Sequence, residues 1–446
     1  MAHSEIIAAI ATAPGRAAIG IVRLSGSSLQ WLTEALIGRT LPGRRAVLCE
    51  FHDDKDVAID RGIAIYFPTP HSYTGEDVLE LHGHGGPVVL RLLLRRCLEL
   101  GARVARPGEF TQRAFLNDRI DLAQAEGVID LIDAATEQAA RCAVRSLSGE
   151  FSSQIQSVIV YLIDLRTLVE ANLDFPEEDV DTVAGIDIQA RLRGVLQKIE
   201  AVLEASQQGA LLREGMDVVL AGQPNVGKSS LLNRLAGEDL AIVTEVPGTT
   251  RDVIRQVIDL DGIPVRILDT AGLRTPTDVV ESLGIARTWE AIARGDLVVL
   301  IIDVRRGETK EDATILERLP AKLPCIKVMN KVDLAPETPR VERVGETITV
   351  WVSAKTGAGI DLLRGVLLEA AGWKGTYEGL YLARERHLDA LGRAQAHVRE
   401  AERHPEQLEF VAEELRLAQL SLSSITGEFS VDDLLANIFS RFCIGK

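Results

Sequence analysis

Gly222-Gln223-Pro224-Asn225-Val226-Gly227-Lys228-Ser229 fits the pattern GxxxxGK[ST]. It follows an apolar run, DVVLA at 217–221, and opens a helical pattern, SLLNRLAG at 230–237. A strand before and a helix behind are the context that gives this pattern its meaning. Glycines let backbone N–H groups wrap phosphate oxygens, and a helix N-terminus adds a favourable dipole. Asn225, Val226, Gly227, Lys228, Ser229 and Ser230 are therefore expected around a nucleoside triphosphate. Lys228 should reach the β- and γ-phosphates, and Ser229 should ligate Mg2+.

Four more apolar runs follow: VRILDT at 265–270, DLVVLIID at 296–303, PCIKVMN at 324–330 and ITVWVSA at 348–354. Each reaches a polar motif at its carboxyl end, as buried parallel strands do, and ligands bind beyond such ends. Asn330-Lys331-Val332-Asp333 closes the third run. The Asp333 carboxylate can accept both the N1–H and the 2-amino group of guanine. Adenine has neither donor, so an adenine complex would leave a carboxylate unpaired, a mismatch worth about 10⁴–10⁵ in discrimination. Ser353, Ala354 and Lys355 fit a second base-contacting loop. The expected nucleotide is GTP.

Asp269-Thr270-Ala271-Gly272 supplies the remaining phosphate contacts: Asp269 holds Mg2+ through water and the Gly272 N–H meets the γ-phosphate. Between the P-loop and this motif lies Pro247-Gly248-Thr249-Thr250-Arg251-Asp252, a glycine-containing loop whose Thr250 is the candidate second Mg2+ ligand. Ras-like proteins place a glutamine after this aspartate motif to orient the attacking water. Here the residue is Leu273, which cannot do so. Glu281, Arg251, Arg255 and Arg274 are the candidates to take its place.

The 446 residues allow roughly two to four domains of about 150 each. Residues 1–118 read as a small α+β domain, with short β-type runs at 20–26, 62–67 and 78–83 and a helix from Pro87 that ends before Gly101. Residues 119–210 turn helical, including a third amphipathic helix at about 186–208, and the P-loop domain occupies 211–375. The helical pattern returns at 376–446, interrupted at His404-Pro405. The simplest architecture has the two helical segments packing together with the P-loop domain inserted between them.

No apolar run reaches the ~18 residues of a bilayer span, and MAHSEIIAAIATAPGR lacks the features of a signal peptide. Five scattered cysteines (Cys49, Cys97, Cys142, Cys325, Cys443) form no CxxC pair, which suits a reducing cytoplasm. The net charge of −16 disfavours broad nucleic-acid binding. A local basic stretch remains, with Arg91, Arg95, Arg96, Arg103, Arg106, Arg113 and Arg119. It reads either as a solvated helix face or as an RNA-facing surface. HGHGG at 82–86 reads as a glycine-rich turn, since His82 and His84 lack nearby partners for a metal.

TAPGRAAIGIVRLSG at 12–26, YTGEDVLELHGHGG at 73–86, PGEFTQRAFLNDRIDLAQAE at 107–126, the central P-loop domain and FCIGK at 442–446 together resemble one family, the MnmE (TrmE) GTPases of tRNA modification. The resemblance covers essentially the whole chain, and the terminal runs are its most specific part. It implies a multidomain α/β protein: an N-terminal α+β domain similar to folate-binding aminomethyltransferases, a discontinuous α-helical domain and an inserted Ras-like P-loop G domain. It implies a homodimer formed through the N-terminal domains. A FAD-dependent MnmG-like partner would join it in a heterotetramer that builds a carboxymethylaminomethyl or aminomethyl group on the wobble uridine of certain tRNAs. The one-carbon source would be 5-formyltetrahydrofolate or a related folate.

Residue by residue, the resemblance puts folate contacts at Arg23, Glu80, Arg119 and Lys446. Cations can pair the glutamate tail of folate, and Glu80 can accept from the pterin's amino edge. The family usually has lysine at the position of Arg119, so charge is kept while geometry changes. A K+ ion beside the P-loop is implied, with Asn225, Thr244, Val246 and Thr249 as ligands. Glu245, Pro247 and Gly248 belong to the same nucleotide-facing loop, and the water-orienting acid falls on Glu281. Cys443 reads either as a buried structural thiol or as a group near the folate site. Two other functions compete: a ribosome-assembly GTPase with RNA-binding flanks, and a non-enzymatic switch gated by GTP.

Overall fold

The computed structural model describes residues 5–174, 187–237, 255–269, 295–318, 323–377, 379–427, 435, 438–440, 442 and 445. Two compact units emerge. The first combines Met1–Ile129, Leu147–Ile163 and Arg416–Lys446; the second combines Asp130–Ser146 and Asp164–Leu415.

In the first unit a six-stranded sheet is built from β1 (Ile7–Ile10), β2 (Ile19–Gly26), β3 (Val47–His52), β4 (Ala58–Phe67), β5 (Asp77–His84) and β6 (Arg103–Val104). Its order is β3-β4-β5-β2-β1-β6, antiparallel except for the β1–β6 pair. The period of two sorts the residues. Val22, Leu24, Leu79 and Leu81 join one core with Leu29, Leu32 and Leu36 around helix α1 (Gln30–Ile37) and Leu90 and Leu93 of α2 (Pro87–Glu99). Arg23, Glu80 and His82 alternate with them and therefore fall on the other face, with Arg23 paired in register with Glu80. The glycine-rich stretch expected as a turn is instead the end of β5. His82 and His84 are strand residues, and alternation with Gly83 puts both on one face.

Helix α3 (Glu109–Leu116) starts from Gly108, whose φ is +67°. A Cβ there would stand 2.6 Å from the Phe439 carbonyl oxygen, so glycine is required both for conformation and for space. Helix α4 (Leu122–Ile132) continues this layer, and its Leu122 and Ala125 share a small core with Leu435, Ile438, Phe439 and Phe442. The end of the chain thus packs back on the first unit.

The basic stretch at 91–119 is largely neutralised within the unit. Arg95 and Arg96 pair with Glu99. Arg103, Arg106 and Arg113 converge on Glu109, which is 2% exposed. Arg96 and Arg113 are largely buried in these pairs, so part of the stretch is neither a solvated face nor free basic surface.

The helical pattern is carried by α5 (Glu137–Leu147) and α7 (Ile188–Glu214) in the second unit and by α6 (Glu150–Asp174), whose residues up to Ile163 belong to the first unit and the rest to the second; α7 ends about six residues later than its periodicity predicts. A return segment, Glu385–Arg403, packs on α7 with Arg193–Glu402 and Arg399–Glu200 ion pairs. The two helical segments therefore do pack together. Asp130, 6% exposed, accepts from Arg213 at 3.1 Å and from Arg384 at 2.7 Å. These arginines flank the inserted α/β domain.

That domain holds β7 (Met216–Ala221), helix α8 (Lys228–Ala236), β8 (Arg255–Leu260), β9 (Ile263–Asp269), β10 (Leu297–Asp303), β11 (Cys325–Asn330), β12 (Arg340–Val344) and β13 (Thr347–Val352). The sheet order is β12-β13-β11-β10-β7-β9-β8, with the five inner strands parallel and the two edges antiparallel. β10 is buried along its whole length. Cys49, Cys97, Cys142 and Cys325 are free thiols, and burial pushes Cys97 up to about 12. No helix among the described residues is long and apolar enough to cross a membrane.

Glu109 makes the first unit acid-sensitive. Burial pushes its carboxyl up, but the Arg103 guanidinium, the Arg106 N–H and the charge of Arg113 outweigh it and bring the value to about 2. Because the folded value lies below the unfolded one, the stabilisation is complete above pH 4.5 and is lost as pH falls towards about 2. Glu109→Gln is expected to cost on the order of 3 kcal/mol at pH 7. Urea unfolding of both proteins should show that gap closing between about pH 4.5 and 2; a gap independent of pH would refute it.

Candidate functional site

β7 delivers the chain to the carboxyl edge of the parallel sheet, where the P-loop turns it into α8. Three residues of that turn have positive φ: Gly222 (143°), Asn225 (65°) and Gly227 (102°). A Cβ at Gly222 would lie 2.4 Å from the Ile301 carbonyl oxygen, and one at Gly227 would lie 2.4 Å from Asn330 Nδ2. Gly227 is also the N-cap of α8 and supplies no capping side chain, so the first N–H groups of the helix keep their capacity for an anion. The Lys228 ammonium arches over the loop, donating to the carbonyls of Gly222 at 2.6 Å and Gln223 at 3.2 Å. Ser229 and Ser230 are exposed in the first turn of α8. A glycine cradle, an uncapped helix start and a neighbouring ammonium fit a phosphate chain with Mg2+ on Ser229.

β11 brings Asn330 to the same edge, 2% exposed. Its amide is used at both ends. Nδ2 donates to the Val226 carbonyl at 2.8 Å, while Oδ1 accepts from the Ala354 N–H at 3.0 Å and the Lys331 N–H at 2.8 Å. One side chain thereby joins the P-loop to both base-contacting loops. Asp333 is exposed, and its Oδ1 accepts from the buried Ser353 hydroxyl at 2.6 Å. That bond orients a carboxylate with acceptor capacity left for a base edge. The carbonyls of Ala354 and Lys355 accept from Arg234 of α8. Asp269 ends β9 in register with Leu220 of β7, at this same edge. Residues 244–250 and 270–272 lie outside the described residues, as do Glu281, Arg251, Leu273 and Arg274.

Sequence reasoning passed over Asp303. It ends β10 in register with Asn330, is 4% exposed, and binds both Arg305 (2.6 Å) and Lys331 (2.8 Å). The hydrogen bonds from Arg305, then that from Lys331, hold its carboxyl well below the usual carboxylate range despite burial. Lys331 also donates to the Asn225 carbonyl at 2.6 Å. The signal was available: an aspartate closing a fully apolar strand beside the base-binding strand.

Of the residues expected around folate, Arg23 and Glu80 are brought together, with Arg23 Nε 2.9 Å from Glu80 Oε1. His82 meets the other carboxylate oxygen at 3.0 Å. The Arg23 guanidinium stands 5.9 Å from the ring centroids of both Tyr73 and Phe110. It also reaches the Gly445 carbonyl at 3.4 Å, one residue before Lys446. Cys443 and Lys446 themselves lie outside the described residues. Arg119 sits apart from this group: its stem passes Gly75, and it lines a cavity with Phe115, Gln124 and Ser152. No hydrogen bond or ion pair among the described residues joins Arg119 to Arg23 or Glu80. A paired cation beside two aromatic rings suits a planar ligand with an acidic tail, and Arg23, Glu80 and the chain end would hold it. Among the described residues no group of three or more His, Cys, Asp or Glu side chains could hold a metal ion.

A P-loop, a base loop ending in an oriented aspartate and a parallel sheet presenting both define the class: a P-loop GTPase whose G domain is inserted in a helical domain behind an N-terminal α+β domain. Residues 122–443 match the model described as the MnmE helical domain, and residues 6–119 match that of the GTP-binding protein TrmE N-terminus. The chain belongs to the MnmE (TrmE) family. It is 58% identical, over 100% of both chains, to the tRNA modification GTPase MnmE of Nitrosomonas europaea. It is 56% identical to that of Chromobacterium violaceum, over 99% of this chain and 98% of the relative. The G domain of the T. maritima FeoB iron transporter matches 35% of this chain and 98% of its own at 28% identity with a TM-score of 0.27. The family rests on the sequence matches.

If Ser353 orients Asp333, Ser353→Ala should weaken binding of a fluorescent mant-GDP about tenfold, the worth of one hydrogen bond to a charged group. Equal affinity in a fluorescence titration would show that Asp333 needs no such support.

Proposed function

We propose that this chain is a K+-dependent GTP hydrolase that, with a FAD-dependent MnmG-like partner, takes part in adding a carboxymethylaminomethyl or aminomethyl group to C5 of the wobble uridine in certain tRNAs. The observation that carries this reading is the likeness to the MnmE relatives over the full length of both chains, joined to a nucleotide site built for guanine. Asn330, Asp333 and Ser353 recognise the base. Residues 225–230 and Asp269 to Gly272 take the phosphates, with Mg2+ on Ser229 and Thr250. K+ neutralises charge beside the phosphates, held by Asn225, Thr244, Val246 and Thr249. Since Leu273 cannot orient water, Glu281 does so. A one-carbon folate binds Arg23, Glu80 and Lys446, with Arg119 as a further contact. The pairing of Arg23 with Glu80 at the returning chain end supports this site.

The functional parts are an N-terminal folate and dimerisation domain at 1–118, helical segments at 119–210 and 376–446, and the G domain at 211–375. The protein works in the cytoplasm as a homodimer, and as a heterotetramer with its partner. Homodimerisation of G domains orders the loop around Thr250 and so gates hydrolysis.

Nucleoside analysis of tRNA from cells lacking the protein tests the reading directly: the wobble-uridine modification should disappear, and its persistence would leave only a GTPase. Turnover should be higher in K+ than in Na+, with equal rates removing the potassium role. Glu281→Ala should lower kcat by about 10² or more, as loss of a group that handles the attacking water does.

A further inference from the structure

Asp303 stands outside every role assigned so far, yet it binds Lys331 of the base loop, which in turn binds the P-loop. Its carboxylate closes β10, 4% exposed. Oδ1 accepts from the Arg305 N–H at 3.1 Å and Arg305 Nε at 3.0 Å, and Oδ2 accepts from Arg305 Nη2 at 2.6 Å and Lys331 Nζ at 2.8 Å. A bidentate guanidinium fixes the carboxylate plane as a single contact could not. Lys331 then spans 2.8 Å to Asp303 and 2.6 Å to the Asn225 carbonyl. Both Lys331 (φ 72°) and Asn225 (φ 65°) hold left-handed backbones without being glycine. Such conformations persist only where the surroundings over-determine them. The ammonium is the link between the two strained residues, and Asp303 is what fixes the ammonium.

We propose that Asp303, clamped by Arg305, is a positioning residue for nucleotide binding: it holds Lys331 against Asn225 and so keeps the P-loop and the base loop in one arrangement before GTP arrives. The inference rests on the reading of this site as a guanine-nucleotide site. Its physical basis is preorganisation. A P-loop free to relax at Asn225 must be ordered by the ligand, and that ordering is subtracted from affinity. The effect belongs to binding rather than to the attacking water. It therefore moves KM and Kd more than kcat.

The test uses the full-length protein and mant-GDP. Asp303→Asn keeps the shape but removes the charge that holds two cations. Its Kd should rise about tenfold, the worth of one charge-assisted hydrogen bond, while kcat at saturating GTP changes by less than about threefold. In the Asp303→Asn/Lys331→Gln double variant the Kd should be no weaker than in Lys331→Gln alone, because the two residues act as one device. A merely structural role would lower the melting temperature and leave the losses additive. Unchanged Kd for Asp303→Asn, or additive losses in the cycle, overturns the proposal. Should Asp303→Asn fail to fold, the exposed Arg305 carries the test. Arg305→Gln should weaken binding about threefold by loosening the clamp, and unchanged affinity would overturn the proposal equally. Failure of the guanine reading itself would show separately, as wild-type protein that does not bind mant-GDP, and the proposal would fall with it.

Discussion

One buried amide organises the G domain. Asn330 is 2% exposed and uses both ends of its side chain, on Val226 and on Ala354, across stretches of chain more than twenty and a hundred residues away. A buried amide left unpaired at either end costs about 1–3 kcal/mol, so the three loops must meet for the domain to fold well. The same atom explains a glycine. Nδ2 fills the space where a Cβ at Gly227 would stand. The lysine motif and the base motif are therefore one structural statement: the asparagine of one requires the glycine of the other, and together they aim the start of α8 at the phosphates.

A comparable constraint governs the first unit, and it accounts for the specificity of the terminal runs. Gly108 leaves no room for a side chain beneath the Phe439 carbonyl. Gly445, with φ +104°, would place a Cβ 2.6 Å from the Ile10 carbonyl. Both glycines lie where the end of the chain meets the N-terminal sheet. The run PGEF and the ending FCIGK are thus two sides of one contact. Arg23, donating to the Gly445 carbonyl, stands at that contact with Glu80.

What was legible in the sequence follows from burial. The five inner strands of the G domain are near-continuous apolar runs, and each was readable as a buried parallel strand. The edges were not. β8 reads RQVIDL and β12 reads RVERV, with charged residues among the apolar ones as edge strands carry them. Asp261-Gly262, with φ of 48° and 83°, forms the two-residue turn of the β8–β9 hairpin and was the one local signal for it. His82 and His84 were misjudged as a turn for the opposite reason: glycines normally break strands, but here Gly83 lets Asp60 approach β5, where it binds His84. The arginine stretch was only partly legible: Glu99 and Glu109 lie within it, but Glu5 and Glu76, which also bind Arg103 and Arg113, come from distant parts of the chain. Asp303 could be noticed as an aspartate closing an apolar strand, but its partners could not, because they are set by the pairing of β10 with β11 rather than by spacing.

An inserted domain poses a physical problem of its own, because the host must keep its packing while roughly a third of the chain loops out. Closing such a loop costs entropy that grows only as the logarithm of its length, so the length of the insert matters less than where its ends are held. Both ends are held on one carboxylate. Arg213, in the last turn before β7, and Arg384, just before Glu385–Arg403, each donate to Oδ1 of the buried Asp130. The α7 and Glu385–Arg403 helices can then pack as if they were consecutive. A family model for the helical domain that runs unbroken from 122 to 443, across the whole insert, is the sequence-level trace of that arrangement. Further bonds tie the insert to its host beside that carboxylate: Thr136 donates to the Gly262 carbonyl at 2.7 Å, and Gln208 donates to the Gly372 carbonyl at 2.9 Å, so the ends of the insert are fixed at several points rather than one.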